Sequence, residues 1–479
     1  MNIPSFITSF QSIGDQVFLR CDPKYRHFWD NSHGYSLKPN KNVEDVKLRN
    51  ELLPFNKKVL NKGLLTEDRI ILDLADVESR TSLILQERIV DEIGSAKLDF
   101  ADCDLVVNRL EPYLGKIVIN DESKGYIGTT EWIPLRINNT RVNSLFLKYL
   151  LLLPQFLHSF RLLKSGKRHA RMAYVDFRNV NIPLPSPEEQ TILAKKILPL
   201  EKNMLSLHGS LANPLSIIND IFAREYSYSV DEYNNKANIT IYNRTFSTIN
   251  KSIALRSSVR FHRPKYDYLD GIIRKYECKK LGALCLMPIH RGVQPHYDKV
   301  GSIFVIKTAN LQNGFIDTSE VETVNDEFYI ANKNISGIET GDILVTSTGV
   351  GSIGKVDMYE FDDAALADGH VSIVRLNEKD INPKYLLYYL RSILGYSQIE
   401  RNYSGATNQI EIYPDQLEHI RIIDISRDKQ DCIVKEIQTE LLSLQNQKMQ
   451  IRKLRDQVDS IVLKAIGCSA SLINEDSYS

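Results

Sequence analysis

Several signatures of well-defined protein classes are missing from this sequence of 479 residues. Its six cysteines include no CxxC pair, which argues against a zinc site or a disulfide framework and suits a reducing cytosol. The most apolar stretch, Tyr149 to Leu157, contains Pro154 and is too short to cross a bilayer, so it predicts a buried helix. The N-terminus shows no charged region followed by an apolar segment, which argues against a signal peptide. We therefore expect a cytoplasmic protein that does not enter a membrane.

An excess of charge of either sign is also missing, because the 60 basic and 60 acidic residues balance. A hydrophobic content of 43% and a charged content of 25% are ordinary for a globular protein, and the length allows two or three domains. A chain without net positive charge can bind nucleic acid only through local basic patches.

Motifs of catalysis are missing as well. The sequence has no GxxxxGK[ST] phosphate-binding loop and no HExxH, and its histidines show no metal-ligand spacing. Asp22-Pro23-Lys24-Tyr25 nearly matches the motif of amino-methyltransferases, but the related Arg263-Pro264-Lys265-Tyr266 lacks the acid. We therefore predict a chain that is not an enzyme by itself and that holds no metal and no cofactor.

One glycine-rich motif is present, a GxGxxG formed by Gly349, Gly351 and Gly354. In a dinucleotide-binding site such glycines lead from a strand into a helix whose N-terminus faces the pyrophosphate. Here residues 355–361 alternate between polar and apolar side chains, which predicts a second strand. A β-hairpin is the favoured interpretation, and a nicotinamide site is the alternative.

The most informative feature is an internal repeat of about half the chain. Asp104-Leu105-Val106-Val107 returns 238 positions later as Asp342-Ile343-Leu344-Val345, and Ser165-Gly166 returns after 239 as Ser404-Gly405. Pro23, Tyr174, Ile197 and Ile221 have matches in the same order, at Pro264, Tyr413, Ile437 and Ile461. The repeat also answers the glycine question, because the segment matching the GxGxxG keeps only its last glycine, Gly115. A phosphate loop could not lose the other two.

Each repeat ends in a helical part with apolar residues at heptad spacing. The first of these helices begins at a capping box, Ser186-Pro187-Glu188-Glu189, and is interrupted by Gly209 and Pro214. The heptad positions are Ile197, Met204, Leu211 and Ile218 in the first repeat and Ile437, Leu444, Ile451, Val458 and Ala465 in the second. Two long helices of matching pattern favour an intramolecular coiled coil over separate packing of each helix on its own domain.

The ordered motifs resemble those of DNA-specificity (S) subunits of type I restriction–modification systems. The resemblance rests on Asn108 to Lys116, on Ile182 to Gln190 ("IPLPSPEEQ"), on Gly341 to Val345, on Asp368 to Val371, and on Ser404-Gly405. It implies an α+β fold with a pseudo-two-fold repeat, in which two β-rich target recognition domains are joined by two long helices paired as an antiparallel coiled coil. The predicted boundaries are 1–185 and 231–425 for the recognition domains, and 186–230 and 426–470 for the central and C-terminal spacer helices.

The resemblance also implies a function and partners. Each recognition domain would read one half of a bipartite target in double-stranded DNA, while methyltransferase (modification) and restriction subunits supply the chemistry. Two nearly equal helices predict two copies of the methyltransferase subunit. Ile437 to Ala465 spans about 42 Å at 1.5 Å per residue, near the length of one DNA turn. The alternatives are a standalone DNA methyltransferase or restriction enzyme, and a coiled-coil scaffold that does not read DNA.

A basic run from Arg161 to Arg171 is the strongest candidate for DNA contact, with a solvated surface as the alternative. Its counterpart, Ser404 to Gln409, is polar and uncharged, and Arg or Lys suits guanine whereas Asn or Gln suits adenine. This alignment places Arg171 at the position of Ile410. The residues predicted to bind DNA are Arg109, Lys116, Lys164, Lys167, Arg168, His169, Arg171, Ser347, Thr348, Lys355, Thr407, Asn408 and Gln409.

A second basic group, at residues 256–265, is expected to hold phosphates or to pack within the protein. Its members are Arg256, Arg260, His262, Arg263 and Lys265.

Overall fold

The computed structural model describes residues 43–166, 169–245, 258–298, 300–406 and 409–467. The chain divides into two compact units. The first unit comprises Met1–Leu211 and Asn446–Ser479, and the second comprises Ala212–Gln445.

The described part of the first unit contains two sheets and a separate strand pair. The five-stranded sheet has the order β2-β5-β8-β3-β4, with β3 and β8 parallel, and the three-stranded sheet has the order β7-β6-β9. Strands β1 and β10 pair with each other and bring the two ends of the β-rich part together. The strands are β1 (Glu44–Lys47), β2 (Val59–Leu60), β3 (Gly63–Leu72), β4 (Arg88–Ile93), β5 (Lys97–Asp99), β6 (Leu105–Asn108), β7 (Ile117–Ile119), β8 (Tyr126–Thr129), β9 (Trp132–Leu135) and β10 (Asn181–Leu184).

Helices of the first unit pack on the three-stranded sheet and on the β1–β10 pair through a large apolar core. They are α1 (Ser144–Leu151), α2 (Pro154–Leu163), α3 (Tyr174–Arg178) and α4 (Pro187–Gly209). Tyr149 and Leu157 are both buried, which confirms the predicted burial, but the stretch is divided between α1 and α2 and is not one helix. Pro154 opens α2 because its ring suits the first helical position. Ser186 caps α4 by accepting a hydrogen bond from the N–H of Glu189 at 3.2 Å.

The described part of the second unit has the same kinds of sheet. One four-stranded sheet has the order β14-β13-β18-β15 with β13 and β18 parallel, and the other has the order β12-β19-β16-β17. Strands β11 and β22 pair as β1 and β10 do, and β20 and β21 form a hairpin. The strands are β11 (Cys278–Lys280), β12 (His290–Arg291), β13 (Ile303–Ile306), β14 (Glu322–Val324), β15 (Gly337–Ile338), β16 (Ile343–Thr346), β17 (Val356–Met358), β18 (Ala365–Ala367), β19 (Val371–Val374), β20 (Ser404–Ala406), β21 (Gln409–Glu411) and β22 (Arg421–Ile423).

Helices of the second unit include one, α8, inserted between β14 and β15. They are α5 (Pro214–Glu225), α6 (Val230–Ala237), α7 (Pro264–Ile273), α8 (Asp326–Ser336), α9 (Pro383–Arg391), α10 (Ile393–Asn402) and α11 (Pro414–Glu418). Because α4 ends at Gly209 and α5 begins at Pro214, the predicted interruption of the first long helix is confirmed.

The longest helix, α12 (Arg427–Ala465), contributes residues to both units. Its Ile437 joins the core of the second unit together with Ile218 of α5. Its Ile451 and Val458 join the core of the first unit together with Ile197 and Met204 of α4. The heptad positions are therefore buried as the sequence pattern predicted, with Leu211 and Ala465 packed at the edge of the core.

A buried glutamine at the start of each long helical segment makes the same contacts in both units. Gln190 accepts a hydrogen bond from the N–H of Asn143 at 2.9 Å and donates to the carbonyl of Pro185 at 2.8 Å. Gln430 accepts from the N–H of Asn382 at 2.7 Å and donates to the carbonyl of Ile425 at 2.9 Å. Each glutamine thus fixes the N-terminus of a core helix, α1 or α9, to the segment that follows the sheet.

The glycine-rich motif forms the connection of an antiparallel hairpin. Ile343 pairs with Met358 and Val345 with Val356, so the segment after the third glycine is a strand, as predicted. The three glycines have φ angles of +95°, +83° and +78°, which only glycine adopts readily. The hairpin interpretation is confirmed.

Arg260 and Lys265 of the second basic group pack inside their own unit. Arg260 stacks on the ring of Tyr403 at 3.5 Å, and Lys265, which is 6% exposed, forms an ion pair with Glu400 at 2.5 Å. Of the two roles expected for this group, these residues have the packing role. Arg256 lies outside the described residues.

Candidate nucleic-acid interface

In the first unit, the β6–β7 connection lies against the basic loop, which we define as residues 164–172. The N–H of Met172 donates to the carbonyl of Arg109 at 2.9 Å, and the N–H of Glu111 donates to the carbonyl of Ala170 at 3.1 Å. Ser165 and Arg171 close the loop by exchanging two backbone hydrogen bonds of 2.9 Å. The C-terminal end of the loop is therefore fixed to the hairpin, and the N-terminal end is fixed to Arg171.

Carboxylates of the same unit hold two of the cations at the ends of this loop. Arg171 makes a bidentate ion pair with Glu131, with its Nε and Nη2 at 2.9 and 2.7 Å from the two carboxylate oxygens. Lys164 donates to Glu111 at 3.1 Å. The hydrogen bonds from Arg171 lower the pKa of Glu131. Burial alone would raise the pKa of Glu111, but hydrogen bonds from Lys164 and Tyr113 bring it below its usual value. Both carboxylates are therefore ionised at neutral pH.

An aromatic ring lies among these cations. The Nζ of Lys164 is 4.5 Å from the ring centroid of Tyr113, and the guanidinium of Arg161 is 5.1 Å from it. Cations at these distances are attracted to the ring face. Tyr113 thus contacts both Arg161 and Lys164 at the N-terminal end of the basic loop.

The second unit repeats the backbone arrangement at its glycine-rich connection. The N–H of Ile412 donates to the carbonyl of Ser347 at 2.9 Å, and the N–H of Gly349 donates to the carbonyl of Ile410 at 3.2 Å. Thr348 forms a bridge with Glu411, as Leu110 does with Arg171 in the first unit. The polar loop, residues 404–411, is therefore attached to its hairpin as the basic loop is.

The side chains at this attachment differ in charge from those of the first unit. Glu411 forms an ion pair with Arg291 of β12, which lowers the pKa of the Glu411 carboxyl. Arg291 also donates to the carbonyl of Ile412 at 2.6 Å and lies 5.0 Å from the ring centroid of Tyr413. The second unit thus has Glu411, paired with an arginine, at the place where the first unit has Arg171, paired with a glutamate.

These hydrogen bonds correct the sequence alignment of the two loops. The alignment placed Arg171 at the position of Ile410, but Ser165 pairs with Arg171 whereas Ser404 pairs with Glu411. Arg171 is therefore equivalent to Glu411, and Ala170 to Ile410. Between these paired residues the polar loop has six residues (405–410) and the basic loop has five (166–170), and a constant shift between the repeats hid this insertion.

The residues predicted to bind DNA fall into different environments. His169, Arg171 and Gln409 are exposed on the two loops. Lys116 is directed inward, where it donates to the carbonyl of Leu74 at 2.7 Å and burial lowers its pKa. Ser347 is fully buried and its hydroxyl is 2.6 Å from that of Ser372.

The other predicted residues lie near the two hairpins. Arg109, Lys164, Thr348 and Lys355 are half-buried there. Lys167, Arg168, Thr407 and Asn408 lie outside the described residues. For the whole set, contact with DNA stays a prediction.

Sequence reasoning missed four members of the arrangement: the acids Glu131 and Glu411, the ring of Tyr113, and the cation Arg291, which lies outside both loops. A search for cations passes over carboxylates, and Glu131 is 40 positions from its partner Arg171. One signal was available, since Tyr113 lies within the segment 108–116 that carried the resemblance.

Among the described residues, no cluster of three His, Cys, Asp or Glu side chains could hold a metal ion. Within the same part of the chain, every helix is too short or too polar to cross a membrane.

Three of the solved structures similar to this chain belong to type I restriction–modification systems. The chain is similar to a protein from a study of complex assembly and conformational transition of the type I R-M system, with 16% identity, a TM-score of 0.43, and coverage of 90% of this chain and 98% of the other. It is also similar to the S subunit from M. genitalium (14%, TM-score 0.39, coverage 91% and 99%) and to the HsdS subunit from Thermoanaerobacter tengcongensis (15%, TM-score 0.32, coverage 90% and 98%).

No protein-family model and no curated protein matches the chain.

Proposed function

We propose that this chain is the DNA sequence-specificity subunit of a type I restriction–modification complex. One observation carries the proposal: the same backbone hydrogen bonds present a basic loop in the first unit and a polar loop in the second. A loop with a purely structural role would need only one type of side chain at this place in both units. Two readers of different half-sites need two, because guanine and adenine offer different partners in the major groove.

The long helices have the role of a spacer in this proposal. Helices α4 and α5 pair antiparallel with α12, and buried heptad positions such as Met204 and Val458 support this pairing. The chain reads a bipartite target in double-stranded DNA. Methyltransferase subunits, in two copies, dock on the chain and carry out the reaction, and restriction subunits join the same complex.

Comparison of methylomes tests the proposal directly. Cells that carry the chain with its methyltransferase should show one bipartite methylated motif, and the motif should disappear when this chain alone is removed. A methyltransferase that keeps its motif without the chain would contradict the proposal. Purified complex that prefers no sequence would instead favour the scaffold alternative.

Substitutions in the two loops test the division of labour between the units. Arg168→Ala in the basic loop should relax one half-site and Gln409→Ala in the polar loop the other, by about 1–3 kcal/mol for a lost bidentate base contact. Competition binding with targets mutated one half at a time measures this. If both variants relax the same half-site, or if neither changes a base preference, the assignment of the loops is wrong.

A further inference from the structure

Arg171 and Glu411 occupy one structural position in the two units and carry opposite charges. Each pairs across a narrow hydrogen-bonded bridge with a serine, Ser165 or Ser404, and each forms a second bridge to the hairpin connection. Their side chains are similarly accessible, with exposed fractions of 44% for Arg171 and 33% for Glu411. The position therefore differs between the units in charge and not in placement.

Each of the two side chains is held in place by a counter-ion of its own unit. Glu131 binds the Nε and Nη2 of Arg171, and the carbonyl of His169 accepts a third hydrogen bond from Nη1 at 3.1 Å. Arg291 binds Glu411 and is itself anchored to the carbonyl of Ile412. A side chain fixed by such contacts loses less rotamer entropy when it binds a ligand.

The inversion of charge separates two kinds of DNA contact. Phosphates are negative along the whole duplex, so a phosphate-facing position should favour Arg or Lys in both units. A carboxylate at such a position would repel the backbone. Base edges, unlike phosphates, suit side chains of either charge, because guanine presents two acceptors in the major groove and cytosine presents an amino donor.

We propose that this position reads a base in each half-site, with Arg171 binding the O6 and N7 of a guanine and Glu411 accepting from the N4 amino group of a cytosine. Glu131 and Arg291 are positioning residues that orient the two readers. The inference rests on the proposed function and adds to it the identity of one reading residue and one base in each half-site.

The test uses the purified complex of this chain with its methyltransferase and the motif found in the methylome. Competition binding with every single-base variant of the motif is measured for the wild type, Arg171→Ala, Arg171→Lys and Glu411→Gln. Arg171→Lys keeps the charge and removes the bidentate geometry, which distinguishes reading of guanine from attraction to phosphate. Thermal unfolding verifies that each variant remains folded.

We expect both Arg171 variants to lose preference for one guanine in one half-site, by roughly 5- to 150-fold. Glu411→Gln should lose preference for one cytosine in the other half-site. Matched controls are Arg141→Ala, whose ion-paired side chain is also 44% exposed, and Glu322→Gln, whose side chain is 48% exposed. Both controls should leave the base preferences unchanged.

Three results would overturn the inference. Arg171→Ala could weaken binding to all sequences equally and reduce the salt dependence by about one ion, which indicates phosphate contact. Glu411→Gln could strengthen binding to all sequences equally, which indicates simple repulsion. Both variants could also keep the wild-type preferences. If the wild-type complex itself has no preferred sequence, the proposed function fails, and this outcome is distinct from the other three.

Discussion

Asp459 of α12 is a carboxyl group whose burial opposes its charge. It pairs with Arg455 one helical turn earlier, and Arg455 in turn donates to the carbonyls of Arg80 at 3.2 Å and Leu152 at 3.1 Å. Burial raises the pKa of Asp459 to about 6, although the neighbouring Arg455 opposes the rise. The group therefore takes up a proton in the folded first unit at a pH at which it stays ionised in the unfolded chain.

This carboxyl should make the stability of the first unit depend on pH. Because its pKa is raised on folding, protonation of Asp459 adds on the order of 3 kcal/mol to the free energy of unfolding. This contribution is fully present below about pH 4 and is lost as the pH rises through about 6. Asp459→Asn should remove this dependence, so the difference in Tm between the variant and the wild type should change between pH 4 and 7. Asp91→Asn, at an exposed position of β4 in the same unit, is the control, and a constant difference for Asp459→Asn would contradict the prediction.

Single residues show where sequence reasoning reaches its limit. The basic character of the loop from Arg161 to Arg171 is visible in the sequence, because charge is a property of the residue alone. The partner of Arg171 is not visible, because Glu131 comes near it only through the pairing of β6 with β9. The one-residue insertion before Glu411 is hidden for the same reason, since only the hydrogen bonds show that Glu411 is the equivalent of Arg171.

At the scale of elements, glycine-to-alanine substitutions in the hairpin can distinguish backbone strain from steric clash of the added methyl group. Gly351→Ala should cost about 1–2 kcal/mol, because φ is positive there and the added Cβ would have no neighbour within 4 Å. Gly354→Ala should cost more, by about another 1–3 kcal/mol, since its Cβ would also come within 3.0 Å of Tyr396 and 3.2 Å of Ile399. Hydrogen exchange of β16 and β17 measures both, and equal losses of protection would refute this ranking.

The two buried glutamines offer a matched pair of substitutions. Gln190→Ala and Gln430→Ala should each destabilise their own unit by about 2–4 kcal/mol, because each buried amide bonds two backbone groups, among them the N–H of Asn143 or Asn382, which lose their partner. Thermal unfolding monitored in each unit by hydrogen exchange measures the loss. Gln445→Ala, at an exposed position of α12, should be neutral. The prediction would be contradicted if a substitution lowered hydrogen-exchange protection in the other unit and left its own unit unchanged.

Elements that depend on local patterns could be predicted from the sequence. The heptad residues of α12, the interruption between Gly209 and Pro214, and the hairpin at residues 343–358 all follow from periodicity and backbone chemistry. Helix α8 was not predicted, because it has no counterpart in the first repeat. The parallel pairing of β3 with β8 was also missed, since it joins strands more than 50 positions apart and no local pattern records it.

For the molecule as a whole, the spacer proposal predicts how the DNA target should change with helix length. Removing one heptad from both α4 and α12 shortens each by about 10 Å, which equals the rise of roughly three base pairs. The nonspecific gap of the methylated motif should shorten while both half-sites keep their sequences. Removing the heptad from α12 alone should abolish methylation, because the helices can no longer pair in register. An unchanged gap in the matched deletion would eliminate the ruler role.

The repeat also predicts the composition of the complex. Because equivalent residues such as Gln190 and Gln430 make equivalent contacts, each repeat should present a similar surface to a methyltransferase subunit. Native mass spectrometry of the active methylase should therefore show two methyltransferase copies for each copy of this chain. A stable, active complex with a single copy would contradict the prediction.

The shared attachment of the two loops has a consequence for protein engineering. The bridges Ser165–Arg171 and Ser404–Glu411 are formed by backbone atoms, so they do not depend on the side chains between them. The segments inside the bridges, 166–170 and 405–410, are therefore natural cassettes, and they can be exchanged whole although they differ in length. A graft cut by sequence alignment would place the junction one residue away and would turn the terminal side chain to the opposite face of the hairpin. New specificities should accordingly be built by joining segments at hydrogen-bonded residues.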